Sequence, residues 1–134
     1  MRNKETYVVG VDLGGTKIAT GLLTTEGEIV ERTRLDTLPE EGVDAVINRM
    51  VQSVQDVQKD TDILGGGVGT PGPLDNQKGL VLEGPNLAGW KDVPLRDLLY
   101  ERLQTKIKVE NDANAAAWGE YIFGAGRGTR HMVY

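Results

Sequence analysis

The chain has 134 residues, enough for one domain with a buried core. Its formal net charge of −5 argues against general binding to nucleic acid, because phosphates repel an acidic surface. It contains no cysteine, which excludes disulfides and thiolate metal sites, and no apolar run approaches the roughly 20 residues of a membrane span. The first residues show no signal-peptide pattern, so the cytoplasm is the expected compartment.

The first half of the sequence predicts a three-stranded antiparallel meander followed by a helix. Residues 7–12, 17–23 and 28–35 are β-rich and separated by short turns. Because valine is a weak helix former, burial of an apolar stripe must stabilise the helix expected within residues 40–60. This stripe has helical spacing and consists of Val43, Val46, Ile47, Met50, Val51, Val54 and Val57.

The second half predicts strands that alternate with helices. Strands are expected at 62–69, 79–84, 107–111 and 131–134, helices at 95–103 and 112–124, and a turn-rich loop at 70–79. Asp92 is the candidate N-cap of the helix at 95–103, and Pro94 is expected in its first turn. This order predicts an α/β fold with a mixed sheet whose faces are covered by helices.

Residues 12–17, DLGGTK, join the first two predicted strands through a very tight bend. Glycines let the backbone approach a ligand closely, and successive N–H groups in such a bend can point at phosphate oxygens. Thr16 would add a hydroxyl, Lys17 a positive charge, and Asp12 a carboxylate that holds a hydrated Mg²⁺. An ordinary hairpin with a solvated acid and lysine is the other interpretation of the same residues.

Two further segments carry candidate site residues. Asp112 follows a predicted strand, where ligands collect in α/β sheets, and its carboxylate can accept a proton from a substrate hydroxyl. Asn111 can hydrogen-bond neighbouring hydroxyls, although either residue would equally suit the N-cap of the next helix. Asn86 lies in a Gly/Pro-bounded loop before Trp90, which suits a polyol but also suits a packed tryptophan beside an asparagine turn.

The segments VGVDLGGTKIATGLL, GVGTPGPLD, PNLAGW and ENDANAAAWGE, in this order and spacing, resemble the ROK family of sugar kinases, above all its bacterial glucokinases. The resemblance implies an actin-like, ribonuclease-H-like fold of two lobes, with ATP and sugar meeting between them. Residues 1–134 would be the N-terminal lobe, and the C-terminal lobe would be absent from this chain. The implied activity is phosphorylation of the 6-hydroxyl of glucose or a related hexose by ATP.

The resemblance also implies a role for each matching residue. ATP and Mg²⁺ would be bound by Asp12, Gly14, Gly15, Thr16 and Lys17, the general base would be Asp112, and the sugar pocket would include Gly69, Thr70, Asn86, Asn111 and Asp112. Family members continue with a second phosphate segment, further sugar ligands and a cysteine-rich structural zinc site. This chain is therefore expected to be inactive alone, and the complete protein is expected to be a cytoplasmic homodimer or homotetramer.

Two other functions fit the resemblance less well. A sugar-sensing regulator of the same family would carry a DNA-binding helix-turn-helix before this lobe, whereas only six residues precede the first predicted strand. An actin-like assembly or chaperone ATPase would not need PNLAGW and ENDAN together. Among sugar kinases, fructose, N-acetylmannosamine and N-acetylglucosamine are alternative substrates.

Overall fold

The computed structural model describes residues 6–112. The strands are β1 (Tyr7–Leu13), β2 (Lys17–Thr24), β3 (Ile29–Asp36), β4 (Ile63–Thr70), β5 (Leu74–Asp75), β6 (Leu80–Glu83), β7 (Lys91–Val93) and β8 (Ile107–Asn111). The helices are α1 (Val43–Gln58) and α2 (Leu95–Leu103), with a 3₁₀ turn at Pro39–Glu41. The predicted helix at 112–124 and strand at 131–134 lie outside the described residues. Within that range, neither helix has the length and apolar character needed to cross a bilayer.

Five strands form the main sheet in the order β3-β2-β1-β4-β8. The antiparallel pairing of β1 with β2 and of β2 with β3 confirms the predicted meander. β1, β4 and β8 run parallel, so the sheet is mixed and the carboxyl ends of these three strands share one edge. Asp12 pairs with Gly69, and Gly69 pairs with Glu110, so the three strands end nearly level.

The core lies between one face of this sheet and the two helices. Alternate residues of β1 point into it, and Leu13 is completely buried. α1 begins after Gly42 without a side-chain cap, so burial of its apolar face is its main support. Each fully buried aliphatic side chain contributes about 1.5–3 kcal/mol. The predicted stripe is confirmed, with five members buried: Val46, Ile47, Met50, Val54 and Val57.

One polar contact crosses this core. The hydroxyls of Thr20 on β2 and Ser53 on α1 are 2.7 Å apart, and both side chains are buried. The Ser53 hydroxyl also donates to the Met50 carbonyl oxygen at 2.7 Å, so these buried groups are satisfied.

A second sheet has three strands in the order β5-β6-β7, and of these only β6 is predicted. The pattern predicts only a loop where β5 forms, and it does not predict β7, because strands of two or three residues show no measurable periodicity. Trp90, next to β7, is only 2% exposed and belongs to the core cluster. The packed-tryptophan interpretation is therefore confirmed for Trp90.

Asp92 does not cap α2, contrary to the prediction. It lies within β7 with a φ of 51°, and Pro94 occupies the N-cap position without a side-chain capping bond. The chain before the helix is held by pairing of β7 with β6. The Arg96 N–H, in the first turn, donates to the Gly79 carbonyl at 3.1 Å, so a backbone oxygen replaces the expected carboxylate.

Candidate functional site

The bend between β1 and β2 consists of Gly14, Gly15 and Thr16. The Gly14 N–H donates to the Lys17 carbonyl at 2.9 Å, which closes the hairpin. Neither glycine has a positive φ, so the bend needs them for space. A Cβ on Gly14 would lie 2.9 Å from the Lys17 carbonyl oxygen, and one on Gly15 would lie 3.1 Å from the Cβ of Asn86. The bend thus touches the loop that carries Asn86.

Gly72 joins two further loops of the candidate site. It has a φ of 88°, and a Cβ there would lie 2.0 Å from the Glu83 carbonyl oxygen and 2.6 Å from Cδ of Pro85. The Asn111 side-chain amide donates to the Gly72 carbonyl at 3.3 Å. Together with the contact between Gly15 and Asn86, these approaches bring all four sequence segments into one cluster.

Asp12 and Asp112 lie at this edge of the sheet on either side of β4, and their negative charges repel each other. Partial burial, and then the negative charge of Asp112, raise the pKa of the Asp12 carboxyl above its ordinary value of 3.8, while the positive charge of Arg34 opposes the rise. The proximity follows from the level ends of β1 and β8 on either side of β4. A bound divalent cation would relieve the repulsion between these two negative charges.

The two aspartates are compatible with a Mg²⁺ ion that keeps its water ligands. Within residues 6–112, no three His, Cys, Asp or Glu side chains are grouped as ligands of one metal ion. Mg²⁺ usually keeps several waters and is held by one or two carboxylates together with substrate phosphates. The donor set is therefore compatible with the expectation that Asp12 contacts Mg²⁺ through water.

A cavity of about 1210 Å³ lies over the face of the main sheet opposite α1. Asp12, Gly69 and Asp112 line it where the parallel strands end. Its volume is sufficient for a small-molecule ligand. The charged residues around it are three basic and three acidic: Arg32, Arg34, Lys108, Asp12, Glu110 and Asp112.

Lys17, a predicted phosphate ligand, has an ionic partner in the folded chain. The Lys17 ammonium pairs with the carboxylate of Asp36, its neighbour across β2 and β3. This hydrogen bond, with the Lys17 charge, lowers the pKa of Asp36 below 3.8.

The two predicted site threonines differ in exposure. Thr70 is fully buried, so its side chain lies beneath the loop surface, whereas Thr16 is exposed at the bend.

Thr37 and Arg34 belong to the site although the sequence pattern does not single them out. Thr37 contacts the bend directly, with its hydroxyl 2.7 Å from the Gly14 carbonyl oxygen. Arg34 acts on Asp12 through its charge. The one usable signal is positional, because the meander places β3 beside β2 and its last residues beside the bend.

Comparisons with known proteins identify the family and the fold of the chain. The sequence model of the ROK family matches residues 8–134. A glucokinase of Thermotoga maritima is 42% identical over 126 residues, which are 94% of this chain and 40% of that protein. The structure of a ROK family glucokinase from Streptomyces griseus in complex with glucose and AMPPNP superposes with a TM-score of 0.85 at 39% identity, covering 91% of this chain and 38% of that one.

A transcriptional repressor is also similar. The xylose repressor of Bacillus spizizenii is 30% identical over 135 residues, covering 98% of this chain and 35% of the repressor. The chain thus spans about 40% of the length of the curated kinase it matches and less of the repressor. The superposition confirms the predicted fold class, an actin-like ATPase lobe with a mixed sheet.

Proposed function

Because the chain belongs to the ROK family, we propose that it is the N-terminal lobe of a glucokinase that transfers the γ-phosphate of ATP to the 6-hydroxyl of glucose. The observation that carries this proposal is the meeting of the four segments, with Gly15 against Asn86 and with Asp12 and Asp112 lining one cavity. The similarity to a glucokinase and to a glucose- and AMPPNP-bound relative supports it.

In this proposal Asp112 is the general base. A sugar hydroxyl is a weak nucleophile until a carboxylate takes its proton during attack. The position of Asp112 just past β8, at the end of the cavity, suits that task. Asn86 and Asn111 would hydrogen-bond other hydroxyls and hold the sugar, in a pocket lined by Gly69 and supported from beneath by the buried Thr70. Correct positioning would then supply much of the rate enhancement.

The phosphate groups would bind at the bend. The N–H groups of Gly15 and Thr16 donate to no acceptor within residues 6–112, so the bend offers two backbone donors beside the Thr16 hydroxyl. Lys17 would add its charge by exchanging Asp36 for a phosphate oxygen. Bound Mg²⁺ would neutralise charge on the phosphates, and Asp12 is the residue that would hold it through water.

The proposal extends to the complete protein. It would act in the cytoplasm at the entry of glucose into glycolysis, as a homodimer or homotetramer that binds no nucleic acid. The net charge of −5 supports the absence of nucleic-acid binding. A second phosphate segment and a structural zinc site would belong to a C-terminal lobe of the complete protein.

The test is Asp112→Asn in the full product of the reading frame. Turnover should fall by about 10²–10⁴-fold, because a general base contributes that much, while the glucose dissociation constant changes little. Glu110→Gln is a matched control, since it removes a carboxylate from the same strand face but keeps an oxygen for the Asn111 N–H. Near-normal turnover of Asp112→Asn would remove Asp112 as the base.

A sugar-sensing regulator without catalysis is the second candidate, and the match to a xylose repressor favours it. The acidic net charge of the chain and its complete ENDAN segment fit the kinase better. Binding of glucose by the full product, with no phosphate transfer to any hexose, would move the regulator to first place.

A further inference from the structure

The N–H, the hydroxyl and the carbonyl of Thr37 all form hydrogen bonds near the bend. The Thr37 N–H donates to the Thr16 carbonyl at 2.9 Å, and its hydroxyl donates to the Gly14 carbonyl at 2.7 Å. Its own carbonyl accepts from Nη1 of Arg49 at 3.0 Å. The side chain is completely buried, so these bonds are shielded from competition by water.

The hydroxyl bond determines which way one peptide group points. In a trans peptide the C=O and the following N–H point in opposite directions. No peptide bond of the described chain is cis. Because Thr37 holds the Gly14 carbonyl, the Gly15 N–H of the same peptide must point away from Thr37. That N–H has no protein acceptor within residues 6–112.

We propose that Thr37 is a positioning residue that orients the Gly14–Gly15 peptide and so aims the Gly15 N–H at the phosphate of bound ATP. This inference rests on the proposed kinase function and adds a residue to it. Thr37 itself would touch neither nucleotide nor sugar. Its effect on turnover would pass entirely through the geometry of the bend.

The bend is tied to the core through the same residue. Arg49, which holds the Thr37 carbonyl, lies on α1 and also pairs with Glu41 of the preceding 3₁₀ turn. α1 in turn is fixed by its buried apolar face. A chain of contacts therefore runs from Gly14 through Thr37 and Arg49 to a rigid helix, and it leaves the bend little freedom to reorient.

The experiment compares three variants in the full product of the reading frame. Thr37→Val removes the hydroxyl at nearly constant volume, and Thr37→Ser keeps it. Thr20→Val is the matched control, because it also deletes a buried threonine hydroxyl bond, but one between β2 and α1. Steady-state kinetics with ATP and glucose are measured together with exchange of the Gly14 amide in ¹⁵N-glycine-labelled protein.

We expect Thr37→Val to lower kcat/KM for ATP by about tenfold, the effect of one lost orienting hydrogen bond, with the glucose dissociation constant unchanged. Thr37→Ser should restore most of the loss, and Thr20→Val should stay within about twofold of wild type. Exchange of the Gly14 N–H, which closes the bend on Lys17, should quicken in Thr37→Val only.

The outcomes separate this inference from the kinase proposal. If Thr37→Val and Thr20→Val behave alike in ATP kinetics and in Gly14 exchange, Thr37 is only a satisfied core residue and the inference fails. If wild type transfers no phosphate to any hexose, the kinase proposal fails. Faster Gly14 exchange in Thr37→Val would still show that Thr37 holds the bend, whereas unchanged exchange would overturn that as well.

Discussion

Gly72→Ala should be among the most damaging single substitutions in this part of the chain. A Cβ at Gly72 would lie 2.0 Å from the Glu83 carbonyl oxygen, and real Cβ atoms essentially never come closer than 3.0 Å, so the loop must retreat by about 1 Å. The φ of 88° adds a conformational cost of about 1–2 kcal/mol for a non-glycine residue. With about 1–3 kcal/mol for the overpacking, we expect a loss of stability of about 2–5 kcal/mol.

The same substitution should weaken sugar binding, because the displaced loop carries Asn86. Urea unfolding and glucose titration of the complete protein measure the two effects. Gly89→Ala is the control for stability: its φ is 77°, and a Cβ there would meet only Cγ2 of Val43 at 3.8 Å, an ordinary van der Waals distance, so it bears a conformational cost without overpacking.

The refuting result is equality of the two variants. If Gly72→Ala destabilises the protein no more than Gly89→Ala does, Gly72 is not in close contact with the loop at Glu83 and Pro85. If it is strongly destabilising but leaves glucose affinity unchanged, the loop approach stands, but Asn86 does not belong to the sugar pocket.

Three other substitutions test single residues of the site. Thr16→Val should chiefly raise the KM for ATP, and a change confined to glucose affinity would assign the bend to the wrong ligand. The raised pKa of Asp12 means that the folded state binds a proton more tightly than the unfolded chain, so stability declines as the pH rises above 3.8. Asp12→Asn should therefore raise the melting temperature at pH 7 in the absence of nucleotide, with the gain vanishing near pH 3.8; a lower melting temperature at pH 7 would contradict the repulsion from Asp112. Asp36→Asn should release Lys17 and lower the KM for ATP by about twofold, as expected for an exposed ion pair, and an unchanged KM would count against Lys17 as a phosphate ligand.

The meander and helix α1 could be predicted because β-rich runs separated by short turns, and an apolar stripe of helical spacing, are local signals. The three strands of the meander are seven or eight residues long, and the stripe of α1 runs over four turns. Burial selects the apolar stripe of α1, whereas most residues of β3 are exposed, and that strand is indicated by its β-rich residues and the turn before it. The start of α2 could not be predicted from local pattern. Pairing with β6, which is a tertiary interaction, places Asp92 in a strand.

The grouping of the site residues could not be derived from local pattern. Gly15 and Asn86 are far apart in the chain, and neither segment carries a sequence signal for their contact. Only the family resemblance grouped them. The pairing of Lys17 with Asp36 depends on the register of β2 against β3, which turn chemistry alone did not determine.

Thr37 shows the same limit most clearly. A threonine after a strand is common, and its role appears only when the end of β3 is placed beside the bend, 23 residues away in sequence. Buried polar groups of this kind are found by asking where each hydroxyl and carbonyl finds a partner in the folded chain.

The most direct test of the proposed function is phosphate transfer from ATP to glucose by the full product of the reading frame. The 134-residue chain and a panel of other hexoses would be assayed in parallel. The proposal predicts glucose 6-phosphate from the full product and none from the 134-residue chain alone. Absence of phosphate transfer from the full product to any hexose would contradict it and leave sugar sensing as the better account of Asp112 and the bend.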